Sequence, residues 1–102
     1  MRTLAQIKEK LLLGKFEFSH HAFKRAVERN VSEKEIIEAA EDAEIIEYYP
    51  EDKYTPSCLL LGFCKNGRPL HMQVSLAETE LVKIITIYEP DKNEWIDFKK
   101  RR

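Results

Sequence analysis

The stretch SCLLLGFCKNGRPLHMQVSLAETELVKIITIY, residues 57–88, consists of three apolar segments separated by two short polar links. Each segment is rich in aliphatic residues and has the length of a β-strand. The dipeptide Asn66-Gly67 in the first link is a strong signal for a tight hairpin turn. Because links this short join neighbouring antiparallel strands, the stretch predicts an antiparallel meander with strands at 57–64, 69–77 and 81–88.

A fourth strand is predicted just before the meander. The segment EIIEYY, residues 44–49, has the composition of a strand, and Pro50 ends it. Two short segments are less decided by their pattern. Residues 15–18 (KFEF) fit either a small strand or an extended lead-in to a helix, and residues 89–98 fit a loop or a single helical turn.

Three helices are predicted ahead of the strands. The first spans Thr3–Leu13, with Thr3 as a possible cap and an apolar stripe along one side. The second spans His20–Arg29 and follows Ser19, a good N-cap residue. The third begins after Ser32, which has Glu35 three residues later and so can form a capping box.

These elements predict the fold class of a single α+β domain over residues 1–102. Helices that come first and strands that follow favour helices packed on one face of a four-stranded antiparallel sheet. The other face is then open to solvent or to a partner. The residues expected to be buried are Leu59, Leu61, Phe63, Leu70, Met72, Val74, Ile85 and Ile87.

Charge and cysteine content exclude several classes of protein. The chain has 17 basic and 18 acidic residues, so its net charge indicates no particular partner. The basic end, residues 99–102, is either a solubilising terminus or a phosphate-binding patch. Cys58 and Cys64 lie about 20 Å apart if their strand is regular, which excludes a disulfide between them. No apolar run approaches the ~20 residues of a membrane helix, and we expect a cytoplasmic protein.

The second helix has two unlike sides. At about 100° per residue its core side is predicted to carry Ala22, Phe23, Ala26 and Val27. The opposite side carries His21, Arg25, Glu28 and Arg29. This polar side is either a solvated face with an Arg25–Glu28 ion pair or an anion site, because paired guanidinium groups match phosphate oxygens.

The third predicted strand adds a second histidine. Leu70, Met72 and Val74 alternate with His71, Gln73 and Ser75, so His71 points away from the apolar residues. Strict alternation in the next strand places Thr86 and Tyr88 on one face with Val82 and Ile84. If that face meets the face of His71, one surface carries an imidazole, hydroxyls and a phenol. The alternative for His71 is a hydrogen-bonded structural residue.

No metal or cofactor site is predicted. The chain has three glycines, and none are clustered into a phosphate-binding loop. No cysteines or histidines have the spacing of a zinc site. His20 and His21 are adjacent on a helix and point about 100° apart, which is unsuitable for binding one metal.

The sequence resembles the bacterial family called domain of unknown function 4258. The matching segments are FSHHAFKRAVERNVS (18–32), EIIEYYPEDKYTPSCLLLG (44–62), GRPLHMQV (67–74) and VKIITIYEPDKNEW (82–95), followed by the basic end. The most specific motif is the first. The family usually has glycine where this chain has Asn30, a residue that also tolerates the left-handed backbone of a turn.

The resemblance implies the general build of RelE-like toxins and the function of a ribonuclease in a toxin–antitoxin pair. The implied partners are RNA and a small antitoxin protein. A metal-free ribonuclease needs an acid, a base and cations for the phosphate. His21 and His71 suit the acid–base roles, Arg25 and Arg29 suit phosphate binding, and Tyr88 is a further catalytic candidate.

Three residues near the C-terminus complete the candidate site. Lys100 and Arg101 are expected to bind the RNA backbone, and Trp95 is either a base-stacking residue or a plug in the core. The alternative function is a non-enzymatic protein-binding module in which His71 is structural. Catalysis requires that His21, Arg25 and His71 converge around a cleft, whereas a binding module leaves His21 far from the sheet.

Overall fold

The computed structural model describes residues 1–102 and is an α+β structure. Its helices are α1 (Leu4–Leu12), α2 (His20–Glu28) and α3 (Glu33–Glu41). Its strands are β1 (Phe16–Phe18), β2 (Glu44–Tyr49), β3 (Ser57–Phe63), β4 (Pro69–Ser75), β5 (Val82–Tyr88), β6 (Trp95–Ile96) and β7 (Lys100–Arg101). None of the helices has the length and apolar character that a membrane span requires.

The predicted helix caps are present. Thr3, Ser19 and Ser32 are the N-caps of α1, α2 and α3, and Ser32 forms the expected capping box with Glu35. Asn30 follows α2 with a φ of 58°, the left-handed conformation that asparagine tolerates. The local signals therefore located the start of all three helices, and the end of the first two, to within one or two residues.

The sheet has five strands and is mixed, which corrects the prediction of a four-stranded antiparallel sheet. The strand order is β1-β5-β4-β3-β2, and β2 to β5 are antiparallel as predicted. The added strand, β1, pairs in parallel with β5, with Phe16 beside Val82 and Phe18 beside Ile84. The pairing satisfies backbone groups of β5 that would otherwise form an open edge. A strand of three residues is too short for its sequence to indicate which strand it pairs with.

The C-terminal segment 89–98 was predicted as a loop or helical turn, and residues 89–94 do form a loop with one turn, in which the Glu94 and Trp95 amides donate to the Asp91 carbonyl. The prediction was wrong for residues 95–96. Instead, β6 and β7 form a separate two-stranded antiparallel ribbon. Its turn contains Asp97 and Phe98, with φ of 52° and 62°. Hairpin turns with two positive φ angles favour Asn-Gly, Asp-Gly or Gly-Gly. Asp97 suits the first position, but the phenylalanine at the second position removes the hairpin signal from the sequence.

The helices cover one face of the sheet and leave the other face to the ribbon. The core between helices and sheet contains Ile7, Leu11, Ala22, Ala26, Ile36, Ala39, Ala40, Cys58, Leu60, Leu70, Met72, Val74, Val82, Ile84 and Ile87, among others. On the opposite face, cross-strand pairing aligns His71 with Tyr88 and Gln73 with Thr86.

A β-bulge in β5 decides which residues reach this second face. The register shifts so that Gln73 pairs with Thr86 while Val74 pairs with Ile84, which leaves Ile85 as the extra residue. Strict alternation therefore fails, and Thr86 and Tyr88 do not share a face with Val82 and Ile84. One extra residue reverses the facing of everything beyond it, so the bulge brings Tyr88 to His71.

Most of the predicted core residues are buried: Leu59, Leu61, Leu70, Met72, Val74 and Ile87. Phe63 is exposed and Ile85 only half-buried, so these two predictions were wrong. On α2 the prediction was also wrong for Phe23 and Val27, which are 58% and 65% exposed. The helix contacts the sheet through its small residues, and the larger ones flank that contact. Both cysteines are free and buried.

Candidate functional site

An open cleft of about 440 Å³ lies between α2, the end of β5 and the β6–β7 ribbon. It is mostly polar and has both basic and acidic side chains. The lining residues are His21, Arg25, Arg29, Thr86, Ile87, Tyr88, Glu89, Asp91, Glu94, Trp95 and Arg101.

One wall of the cleft is the polar side of α2, which is fixed at its N-terminus by Ser19. The Ser19 hydroxyl accepts a hydrogen bond from the Ala22 amide (3.0 Å) and donates one to the carbonyl of Ile85 (2.8 Å). The cap of α2 is thus attached to the bulge of β5. Because Ala22 and Ala26 face the core, the helix turns His21, Arg25 and Arg29 toward the cleft.

The other end of α2 is held by Arg68 of the β3–β4 hairpin. Its guanidinium donates hydrogen bonds to the backbone carbonyls of Arg29 (2.7 Å) and Asn30 (3.2 Å). It also forms ion pairs with Glu35 (3.1 Å) and Glu89 (2.8 Å). Arg68 therefore joins the C-terminal end of α2 to α3 and to the segment after β5.

The three basic side chains on the α2 wall have no partner in the protein. His21, Arg25 and Arg29 form no side-chain hydrogen bond and no ion pair, and the Arg25–Glu28 pair considered from the sequence is not formed. Their donors are therefore free to bind a ligand that enters the cleft.

The opposite wall is the ribbon, where Arg101 is neutralised. Its guanidinium binds Glu47 through two hydrogen bonds of 3.0 and 3.2 Å and lies over the ring of Trp95 at 4.6 Å from the centroid. The bonds to Glu47 raise the pKa of Arg101. Burial opposes the ionisation of Glu47, but the bonds from Arg101 and Tyr49 outweigh it and lower the pKa of that carboxyl. The pair contributes little net charge to the cleft.

Trp95 is a structural part of this wall. It is 5% exposed, and the ring of His71 meets it edge-on with centroids 4.5 Å apart. With Arg101 over the indole as well, little of the ring is open for stacking on a base. The core-plug interpretation of Trp95 fits this environment.

The floor of the cleft carries a chain of hydrogen bonds through His71. The Nε2 atom of His71 lies 2.6 Å from the carbonyl oxygen of Phe98, and Nδ1 lies 3.1 Å from the hydroxyl of Tyr88. A carbonyl only accepts, so Nε2 carries the proton. In the neutral ring Nδ1 then accepts from the Tyr88 hydroxyl, which leaves the oxygen lone pairs of Tyr88 for the cleft.

Burial shifts the pKa values of both hydrogen-bonded rings, the imidazole of His71 and the phenol of Tyr88. It lowers the pKa of the His71 imidazole, while the bond to the Phe98 carbonyl and the nearby Glu47 carboxylate oppose that change. It raises the pKa of the Tyr88 phenol. His71 is 0% exposed, so any proton exchange between His71 and a ligand passes through Tyr88.

Three acidic residues of the cleft were not predicted from the sequence. Glu89 is paired with Arg68, and Asp91 accepts a hydrogen bond from the Asn93 amide at 2.8 Å. Glu94 has no side-chain partner. All three follow Tyr88 in the segment EPDKNE. Their position directly after the strand that carries Tyr88 was the only sequence signal that they could lie in the same cleft.

The cleft brings together most of the residues expected from the sequence. His21, Arg25, Arg29, Tyr88, Trp95 and Arg101 line it, whereas His71 lies behind Tyr88 and is reached only through it. Lys100 is exposed on β7 and does not line the cleft. No group of three or more histidine, cysteine, aspartate or glutamate side chains could hold a metal ion.

These features define a small α+β protein with a polar cleft at the end of a mixed sheet. Residues 18–89 match the family described as "Domain of unknown function (DUF4258)", which is more than half of the chain. The protein therefore belongs to this family. No curated protein and no solved structure matches the chain.

Proposed function

We propose that the protein is a toxin-like, metal-independent ribonuclease of a toxin–antitoxin pair, with RNA bound in the cleft between α2 and the ribbon. One observation carries the proposal: the unpaired side chains of His21, Arg25 and Arg29 share a cleft with the hydroxyl of Tyr88. The RelE-like build implied by the sequence resemblance belongs to the same proposal.

The α2 wall suits a phosphodiester. Arg25 and Arg29 are one helical turn apart on the same side and offer several donors in fixed planar groups, which match phosphate oxygens. Charge develops on these oxygens when the 2′-oxygen attacks the phosphorus. Cations that are already in position stabilise that charge without further reorganisation.

The acid–base roles are assigned to His21 and to the chain from His71 to Tyr88. His21 takes the proton of the ribose 2′-hydroxyl as the O2′–P bond forms and the P–O5′ bond breaks. Tyr88 gives its hydroxyl proton to the leaving O5′ and receives the Nδ1 proton of protonated His71. The products are a 2′,3′-cyclic phosphate and a 5′-hydroxyl, and DNA, which lacks the nucleophile, is not cleaved.

The mechanism needs protonated His71, which burial disfavours. Cleavage should therefore fall as the pH rises through the lowered pKa of His71, and the optimum should be on the acidic side of neutrality. Tyr88→Phe removes the relay and should abolish this acid dependence together with most of the rate, by about 100-fold or more.

The decisive experiment is expression without any partner, followed by cleavage of RNA with the purified protein. We expect growth arrest and cleavage that persists in a chelator. His21→Ala and Arg25→Ala should fold normally and lose both effects, by about 100-fold or more for His21. The matched controls are His20→Ala and Lys24→Ala, because these neighbours are exposed and lie outside the cleft. Intact RNA and normal growth with the wild type would reject the proposal.

A protein-binding module is the second candidate, and exposed apolar residues on α2 favour it. Phe23 and Val27 form a shallow groove of about 360 Å³ with Phe18, Ala26 and Val31 on the side of α2 away from the cleft. If binding is the only function, Phe23→Ser should abolish capture of a partner while His21→Ala changes nothing. If the protein is a toxin, the same groove is available to a small antitoxin.

A further inference from the structure

A second cleft of about 360 Å³ adjoins the first on the face of the sheet away from the helices. It shares Thr86, Tyr88 and Arg101 with the first cleft, so these side chains form a common boundary of the two. A polymer with its phosphate on the α2 wall can therefore place its neighbouring unit in the second cleft. This step rests on the function proposed above.

The floor of the second cleft presents an amide in a fixed orientation. The Gln73 Nε2 group donates to the Ser57 hydroxyl (2.9 Å) and to the Asp52 carboxylate (3.3 Å). Both of its protons are thereby used, and the Oε1 atom has no partner in the protein and is not enclosed. Gln73 pairs across the strands with Thr86 on one side and Leu59 on the other. The floor thus combines an apolar side chain with a free hydrogen-bond acceptor.

Planar side chains, namely two tyrosine rings and one guanidinium group, line the sides of the second cleft. The half-buried ring of Tyr49 is held by a hydrogen bond from its hydroxyl to Glu47, which in turn binds Arg101. Tyr88 and Arg101 form the boundary with the first cleft. Aromatic rings and guanidinium planes are the groups on which unpaired bases stack.

We propose that the second cleft is a nucleobase subsite, which holds the base next to the phosphate bound by Arg25 and Arg29. The ring of the base lies against Tyr49 over Leu59, and an N–H group of its edge donates to Oε1 of Gln73. Every base offers such an N–H group, so the subsite selects unpaired RNA over duplex rather than one sequence.

The test combines removal of a base with removal of the amide. A short 2′-O-methyl RNA, which cannot be cleaved, is titrated as the intact molecule and with each base in turn replaced by an abasic unit. At one position we expect the loss of the base to weaken binding to the wild type by about 10-fold. In Gln73→Met and Tyr49→Ala, removal of the same base should weaken RNA binding by less than about 3-fold, because the subsite is already impaired.

One variant controls for indirect effects. Tyr48→Ala removes an exposed tyrosine that lies outside the second cleft. It should keep the 10-fold effect of base removal.

Three outcomes would overturn the subsite. The first is an equal effect of base removal on binding to the wild type and to Gln73→Met, and the second is binding that no base removal weakens. If RNA is still cleaved, either outcome rejects the subsite and leaves the proposed ribonuclease function intact. The third is failure to bind or cleave any RNA, which would reject both the subsite and the proposed function.

Discussion

At the scale of single residues, His71 has the largest influence on the candidate site. It links the sheet to the ribbon turn through Phe98 and sets the direction of the Tyr88 hydroxyl. The sequence left open whether His71 was structural or functional. The structure makes it a buried, hydrogen-bonded residue that could act on a ligand through one neighbour.

The buried imidazole of His71 predicts a specific pH dependence of stability. Since its pKa is lowered in the folded state, the unfolded chain binds the proton more readily. The stabilising contribution is present above the ordinary histidine pKa of about 6.5 and is lost as the pH falls toward the folded-state pKa. The free energy of unfolding should therefore fall between about pH 7 and 5.

The variant His71→Gln isolates this contribution. The lowered pKa values of carboxyl groups such as Glu35 and Glu47 affect the free energy of unfolding at lower pH, and they do so in the wild type and in His71→Gln alike. The stability difference between the wild type and His71→Gln should thus narrow as the pH falls, when both are unfolded with urea. A difference that stays constant from pH 7 to 5 would contradict the assignment.

Phe23 gives a second prediction at this scale. A fully buried phenylalanine replaced by alanine costs about 3–5 kcal/mol, but Phe23 is 58% exposed and its ring meets that of Phe18 edge-on, with centroids 6.2 Å apart. Phe23→Ala should reduce the free energy of unfolding by less than about 1 kcal/mol. Leu11→Ala, at a fully buried position, is the control and should cost about 2–5 kcal/mol in the same urea titration. Similar losses in both variants would place Phe23 in the core.

At the scale of elements, the contact between α3 and β3 depends on one glycine. A Cβ atom at Gly62 would overlap the carbonyl oxygen of Ala39 and lie 2.7 Å from its carbonyl carbon. Backbone atoms cannot rotate away as a side chain can. The absence of a side chain at Gly62 thus sets the distance between helix and sheet.

We predict that Gly62→Ala reduces the free energy of unfolding by about 3 kcal/mol or more, because α3 must move away from the sheet. The double variant Gly62→Ala with Ala39→Gly should not recover the loss, since the clash involves the backbone. Thermal or urea unfolding tests both. Recovery in the double variant would show that the Ala39 side chain is the obstacle.

At the scale of the whole molecule, charge gives little attraction to RNA. Acidic and basic residues nearly balance, so the proposed binding of RNA would depend on the local group formed by His21, Arg25 and Arg29. The alternative is that the basic end of the chain, residues 99–102, binds the phosphates. Lys100 is the residue with which to test this alternative, because it lies outside the cleft.

The salt dependence of RNA binding separates these explanations. Each phosphate contact to single-stranded RNA contributes about 0.7 to the slope of log affinity against log salt concentration. Arg25→Ala and Arg29→Ala should each reduce this slope by about that amount, whereas Lys100→Ala and Lys24→Ala should leave it unchanged. A smaller slope in Lys100→Ala alone would assign phosphate binding to the basic end.

The sequence by itself determined what depends on neighbours along the chain. Helix caps at Thr3, Ser19 and Ser32 follow from residue type next to each helix, and the apolar run of β3 marks it as a strand. The alternation in β4 and the spacing of His21, Arg25 and Arg29 follow from local periodicity. The family motif in the second helix is equally local, and it led to the wall of the cleft.

Only the tertiary structure decided what depends on residues far apart in the chain. The parallel partner of β1 and the extra residue Ile85 arise from backbone pairing between separate segments. The ribbon is a local hairpin, but its position over His71 depends on contacts with the sheet, from Phe98 and Trp95 to His71 and from Arg101 to Glu47. Ile85 is one of two adjacent isoleucines, and nothing in their side chains indicates which one the partner strand leaves unpaired. Because that choice turns Tyr88 toward His71, the floor of the cleft is a product of strand register, which local periodicity does not fix.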